Sequence, residues 1–162
     1  MLLLATSLRE VKFSQLMAVY AQSNRENARE FYSQLPEELA VGEAEQDFYQ
    51  YLKEVFFPTR GAVYAIWEVG GCYVSALRLE PYKDGLLLSA LETAPGSRQQ
   101  GYAKALLAAV LPGKGKVYSH VGKKNVPSLR VHESCGFQIV SERATYIDGS
   151  VNSRCYTLFG NF

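Results

Sequence analysis

The sequence predicts a mixed α/β fold, a mixed sheet with helices on its faces, on the strength of three observations. Before Arg60 the apolar residues fall at helical spacing. Gly70-Gly71 and Lys83-Asp84-Gly85 separate three β-rich runs, the signature of an antiparallel meander. From Leu86 onward, strand-like and helix-like stretches alternate.

Taken in order, Leu2 to Ala5 reads as a first strand. Phe13, Leu16, Met17 and Tyr20 share one face of a helix over Lys12 to Tyr20. Asn24 is placed to cap a second helix, which runs through Phe31 and Leu35 to Pro36. A third spans Glu43 to Phe56, with Phe48, Tyr51, Leu52 and Val55 on one stripe, and stops at Pro58 and Gly61. The runs "AVYAIWEV" and "CYVSALRL" flank Gly70-Gly71, because a tight turn of the favoured hand needs positive φ at both central residues. The Lys83–Gly85 turn leads into a third strand, Leu86 to Glu92.

Beyond the meander the order is βαβαββ. Ala103, Leu106, Leu107, Val110 and Leu111 line one helical face, which Pro112-Gly113 ends. "KVYSHV" is the next strand, and if parallel to Leu86–Glu92 its crossover must be right-handed. Asn125 caps a short helix with Pro127 in its first turn, and Gly136 suits its end. "FQIVSERATYI" and "SRCYTLF" read as a final hairpin around Asp148-Gly149. A length of 162 residues suits a single domain, 1–162, with a core of its own.

Composition removes several function classes. With 17 Lys+Arg against 16 Asp+Glu, interspersed, the composition argues against nucleic acid or a membrane surface as the main partner, since both need a concentrated basic face. The three cysteines, Cys72, Cys135 and Cys155, show no C-x-x-C and no zinc spacing, so no metal is expected and a reduced, cytoplasmic setting is. "MLLLATSLRE" lacks the basic start and the length of a signal peptide, and no stretch is long enough to span a bilayer.

The chemistry begins in "SRQQGYAKALLAAVL", Ser97 to Leu111. A strand, a short glycine turn and a helix start follow one another there. The first amides of a helix have no partner in the chain, and the helix dipole adds partial positive charge. Gly101 lets an anion approach its amide, Ala103 is nearly as small, and Arg98 can add a guanidinium fork, so the segment suits a phosphate. Alone it would equally serve as a plain strand-to-helix turn. No G-K-S/T follows, which excludes a Walker loop, and "PGKGK" at Pro112 to Lys116 sits at a helix end, where the dipole repels anions.

A second signal lies downstream in "NVPSLRVHESCGF", Asn125 to Phe137. Together with "TAPGSRQQGYA" it resembles the paired motifs of the GNAT superfamily of acyl-CoA N-acyltransferases, V-x-P-x-x-Q/R-x-x-G-x-G/A and N-x-x-A/S-x-x-L-Y-x-x-x-G-F, in the family's order. The motifs cover about a third of the chain, and the helix-then-meander order before them also fits. The resemblance implies a GNAT fold that binds acetyl-CoA as co-substrate. The backbone of Leu91 to Thr93 would pair with the pantetheine arm like an extra strand, where two strands splay. The amides of Gln99, Gln100, Gly101, Tyr102, Ala103 and Lys104, with Arg98 beside them, would hold the diphosphate. Asn125, with Ser128 a turn later, would meet the pantetheine chain. Three departures stand out in that turn: Thr93 replaces an apolar residue, Gln99 a common Gly, and Ala103 the last Gly.

An amine attacking a thioester must be neutral, the carbonyl must be polarised, and the sulfur must be helped to leave. Backbone amides on the Leu86–Glu92 strand can polarise the carbonyl. The resemblance puts His132 where the family has a tyrosine acting as general acid, and an imidazole can donate a proton near neutral pH. Glu92, on the strand that would present the thioester, is the candidate base, acting through water. The plain alternatives are a His132 that only caps or packs and a Glu92 that faces solvent. Arg78 and Glu80 are weaker candidates for gripping an acceptor. His120 reads as a satisfied strand histidine and Cys135 as packing. Tyr20, Phe31 and Tyr82 are candidate walls of an acceptor cleft.

The function expected is acetyl transfer by direct attack of a primary amine, on a small molecule or a peptide. A non-catalytic coenzyme-binding or sensing module of the same fold is the alternative, which a coenzyme A release assay separates. Monomer and homodimer both remain open.

Overall fold

A computed structural model describes residues 1–162. Its main sheet has seven strands in the order β1-β2-β3-β4-β5-β9-β6, where β1 is Leu2–Ala5, β2 Val63–Val69, β3 Cys72–Tyr82, β4 Gly85–Thr93, β5 Lys116–Gly122, β6 Gln138–Ser141 and β9 Cys155–Asn161. Every pairing is antiparallel except β4 with β5. Helix α4, Tyr102–Val110, makes the crossover between those two, and α5, Val126–Ser134, follows β5.

Helices cover both faces because the central strands are apolar on both. On β2, Tyr64 and Ile66 point one way and Ala65 the other, and all three are buried. Tyr64 and Ile66 join Leu16, Val19, Tyr20, Leu52 and Phe56 in the core beneath the N-terminal helices. Ala65, Leu77 and Leu79 join Leu106, Leu107, Val110, Phe137 and Leu158 under α4 and α5. Each fully buried Leu or Phe contributes about 1.5–3 kcal/mol, so these layers set the register of the sheet.

The Gly70-Gly71 turn forms as expected, with φ of 58° and 80° between the paired Val69 and Cys72. The second turn differs in its reason. Lys83 takes the positive φ of 49°, and Gly85 is needed instead for closeness: a Cβ there would lie 2.1 Å from the Lys116 carbonyl oxygen.

Three N-terminal details depart from the sequence expectation. Helix α1, Phe13–Val19, is separated from α2, Ala21–Phe31, only by Tyr20. Asn24 is therefore inside α2 and buried, its Nδ2 3.3 Å from Met17 Sδ, and caps nothing. Helix α3 starts at Glu37 directly after Pro36 and runs to Tyr51, continued by a wider π-type turn over Leu52–Phe56. Exposed Gly42 masks that early start in the sequence, since glycine inside a helix costs about 1 kcal/mol. Glu37 and Glu38 on the first turn and the Ala28, Ala40, Ala44 contact between α2 and α3 offset it.

The final hairpin divides in two. β6 and β9 pair in the main sheet, and the Asp148-Gly149 turn closes a separate small hairpin, β7 Ala144–Thr145 with β8 Val151–Asn152. No helix is long and apolar enough to cross a membrane.

Candidate active site

Strands β4 and β5 run parallel from Leu86↔Val117 to Leu88↔Ser119, and there the pairing ends. β4 continues to Thr93 on its own side of the gap. A bulge bends it at this point: Ala76 pairs with Glu92 but Arg78 pairs with Ser89, and Ala90 takes φ 54°. The buried Tyr20 hydroxyl donates to the Ala90 carbonyl oxygen at 2.7 Å and ties the bulge to the N-terminal helices. Leu91 to Thr93, expected to meet the pantetheine arm, thus lie on the free stretch of a splayed strand.

The turn after β4 presents its amides outward. Gly101 is the residue before α4, at φ 80° with no side-chain cap on that helix, and no N–H from Gln99 to Lys104 meets an acceptor in the chain. Gln99 takes φ 61°, the conformation its common Gly counterpart adopts freely. A Cβ at Gly101 would meet nothing within 4 Å, so the chain leaves room beside this residue. Gln99, Gln100, Gly101 and Lys104 are exposed, with Tyr102 and Ala103 half-buried. This is the arrangement that accommodates an anion such as a diphosphate. Arg98 folds back: its Nε donates to the Thr93 carbonyl at 3.3 Å, which leaves its outer nitrogens free beside the turn.

Asn125 caps α5, its Oδ1 accepting from the Ser128 N–H at 3.3 Å, while its amide group makes no bond in the chain. His132 is buried and faces β5. Its Nδ1 is 2.7 Å from the Ser128 carbonyl oxygen and its Nε2 2.9 Å from Ser119 Oγ. A carbonyl only accepts, so Nδ1 carries the proton and Nε2 accepts from the serine. Burial lowers the His132 pKa, against a smaller opposing pull from its bond to Ser128, and the ring packs on Phe137 at 5.1 Å.

Glu92 does not face bulk solvent. It lines a cleft of about 390 Å³ between the sheet and helices α2 and α3, walled by Tyr20, Phe31, Tyr32, Phe48 and Tyr51. Its carboxylate accepts from the Ser23 hydroxyl of α2. Burial pushes its pKa up to about 7, with Arg98 pulling it down and Glu26 adding to the rise. Arg78, one step along β3, lines the same cleft.

The structure therefore brings Glu92, Leu91 and Thr93 together with the free amides, and ties His132 to Ser119 at the last β4–β5 pair. Of the expected cleft walls, Tyr20 and Phe31 are there. Tyr82 is not: its hydroxyl donates to the Thr145 carbonyl and its ring packs on Tyr118 and His120. The expectation for His120 is also corrected, since its Nε2 is buried without a partner. Ser23, Tyr32, Asp47, Phe48 and Tyr51 were not found from sequence. Their only signal was helical periodicity, which marks a face and not a cleft.

The family model described as the acetyltransferase (GNAT) family matches residues 26–137. No curated protein matches the sequence. Among solved structures the fold is similar to the PaiA N-acetyltransferase of Thermoplasma acidophilum in complex with coenzyme A, with a TM-score of 0.65 at 12% identity over 100% of this chain and 99% of that one. It is similar to the spermidine N-acetyltransferase of Vibrio cholerae in complex with CoA and spermine, with a TM-score of 0.62 at 14% identity, covering 99% and 95%. The ribosomal-protein-S18-alanine N-acetyltransferase of Escherichia coli gives 0.61 at 15% identity, covering 99% and 94%.

Proposed function

The chain belongs to the acetyltransferase (GNAT) family and is an acetyltransferase, and from that premise we propose that residues 1–162 form a single domain that transfers acetyl from acetyl-CoA directly to a primary amine seated in the Glu92 cleft. One observation carries the reading. The unpaired amides of Gln99 to Lys104 adjoin a splayed strand that leads to a carboxyl group of raised pKa inside a walled cleft.

When bound, the thioester supplies an acetyl group activated for transfer. The Gln99–Lys104 amides hold the diphosphate by charge-assisted hydrogen bonds, with Arg98 adding its outer nitrogens. Leu91 to Thr93 pair with the pantetheine arm along the open edge of β4, and Asn125 offers its free amide from the far side of the splay. An aliphatic amine is mostly ammonium at neutral pH, its pKa being near ~10. Glu92, with a pKa of about 7, is matched to take that proton, directly or through one water. The amine nitrogen then bonds to the carbonyl carbon, the C–S bond breaks, and the second proton that the nitrogen loses on becoming an amide balances the one the leaving sulfur gains as free thiol.

For His132 the geometry supports a positioning role. Both nitrogens are engaged, the lowered pKa keeps the ring neutral at pH 7, and its Nε2 offers a lone pair where an acid needs a proton. It fixes Ser119, at the last β4–β5 pair, and the start of α5.

Two measurements test the reading together. In amide-resolved NMR, coenzyme A is expected to shift Gln99–Lys104 and Leu91–Thr93 most. In a thiol-release assay, acetyl-CoA with a suitable amine is expected to turn over. Binding that leaves those amides unmoved would remove the assignment of the coenzyme site.

A further inference from the structure

Arg78 sits on β3 opposite Tyr64 and faces the cleft floor. Its guanidinium carbon lies 4.9 Å from the Tyr51 ring centre, 5.7 Å from Phe56 and 6.0 Å from Phe48. Its Nε is buried without an acceptor, and no carboxylate lies within 4.0 Å of the side chain. The rings soften the loss of hydration through their π faces. They cannot accept hydrogen bonds in the guanidinium plane, where its donors form a fork that matches a carboxylate.

The chain's own carboxylates do not fill that fork. Glu92 is held by Ser23 and Asp47 by Tyr32. Glu80, two residues along β3, makes no ion pair. A partly buried cation left with open donors in a substrate cleft is an anion-binding group awaiting its partner. The same cation opposes an ammonium placed beside it, although Asp47 and Glu92 also line the cleft. Five aromatic rings with Ala44 and Ala90 make the apolar part of the walls, and about 390 Å³ is near the small end for a ligand site, so the occupant is a small molecule with an apolar body.

We infer that the acceptor is an amine that also bears a carboxylate, an amino acid with an apolar or aromatic side chain. Its carboxylate sits on Arg78, its body lies among Tyr20, Phe31, Phe48 and Tyr51, and its amine is directed toward Glu92 on the adjacent strand. This rests on the reading that the cleft is the acceptor site, and it adds the substrate class.

The experiment compares L-phenylalanine, L-phenylalaninamide, phenethylamine and spermidine as acceptors by coenzyme A release. Calorimetry measures 3-phenylpropionate binding to the coenzyme A-loaded protein. L-Phenylalanine is expected to exceed its amide by at least about tenfold in kcat/KM, as befits one charge-assisted pair. Arg78→Met should bring the two within about threefold and abolish phenylpropionate binding, whereas Arg78→Lys should retain part of both. Equal turnover of acid and amide, preference for spermidine, or no phenylpropionate binding to the loaded wild-type protein would overturn this inference while leaving the transferase intact. Failure of coenzyme A itself to bind would overturn both. The phenylpropionate titration needs no variant, so the outcome does not depend on Arg78→Met folding.

Discussion

The proposed coenzyme half and the proposed acceptor half of this molecule are built from different materials. Around residues 91–104 the groups on offer are backbone amides on a splayed strand and at a helix start, with side chains that are small or leave φ free. Across the sheet, the cleft is made of side chains that come from α2, α3, β3 and β4 and meet only in the folded chain. Backbone recognition constrains short contiguous sequence. Side-chain recognition constrains positions dozens of residues apart. The two halves should therefore fail in different ways.

The largest effect is expected in the acceptor half. Glu92→Gln removes the proton acceptor and should lower kcat by about 10²–10⁴-fold, with acetyl-CoA affinity nearly unchanged, as steady-state kinetics and calorimetry would show. In the coenzyme half, Gly101→Ala should instead raise KM for acetyl-CoA about tenfold, because a left-handed φ costs a Cβ-bearing residue roughly 1–2 kcal/mol. Gln100→Ala, which keeps the amide, should leave KM within about twofold. If the two substitutions were equivalent, the turn would not be acting through its backbone.

Glu92 also couples stability to pH. Its folded pKa of about 7 lies above the ordinary carboxylate value, so its contribution is fully present below pH ~4.5 and is lost as pH rises through 7. Glu92→Gln should thus be more stable than wild type at pH 8, by on the order of 3 kcal/mol, and the gap should close toward pH 4.5. Denaturant unfolding at the two pH values checks the sign. A smaller change is expected for Tyr20→Phe, which strands the Ala90 carbonyl and should cost about 1–3 kcal/mol while lowering kcat through a looser bulge. The smallest is Gln99→Gly, which relieves the left-handed strain and should raise stability by about 1 kcal/mol with activity retained.

Sequence legibility follows the same division. "TAPGSRQQGYA" located the turn of unpaired amides because a strand end, a glycine and a helix start must be adjacent to make one. The Asn125 cap was legible for the same local reason. Arg78 is legible in the sequence only as a weaker candidate for gripping an acceptor, since it takes the approach of Phe48, Tyr51 and Phe56 to give its charge a setting. His132 shows that motif register does not report environment. The position resembled that of a general acid, but Ser119 and the Ser128 carbonyl claim both nitrogens, and neither contact is visible in the spacing. Asn24 looked like a helix cap because its type favours one, and burial against Met17 overrode that preference.

The pH dependence of kcat/KM, measured for wild type and Glu92→Gln with a reactive amine, tests the account most directly. Wild type should rise with pH along a limb that bends near 7, and the variant should lack that limb. A variant that kept the same bend would show that some other group takes the amine's proton.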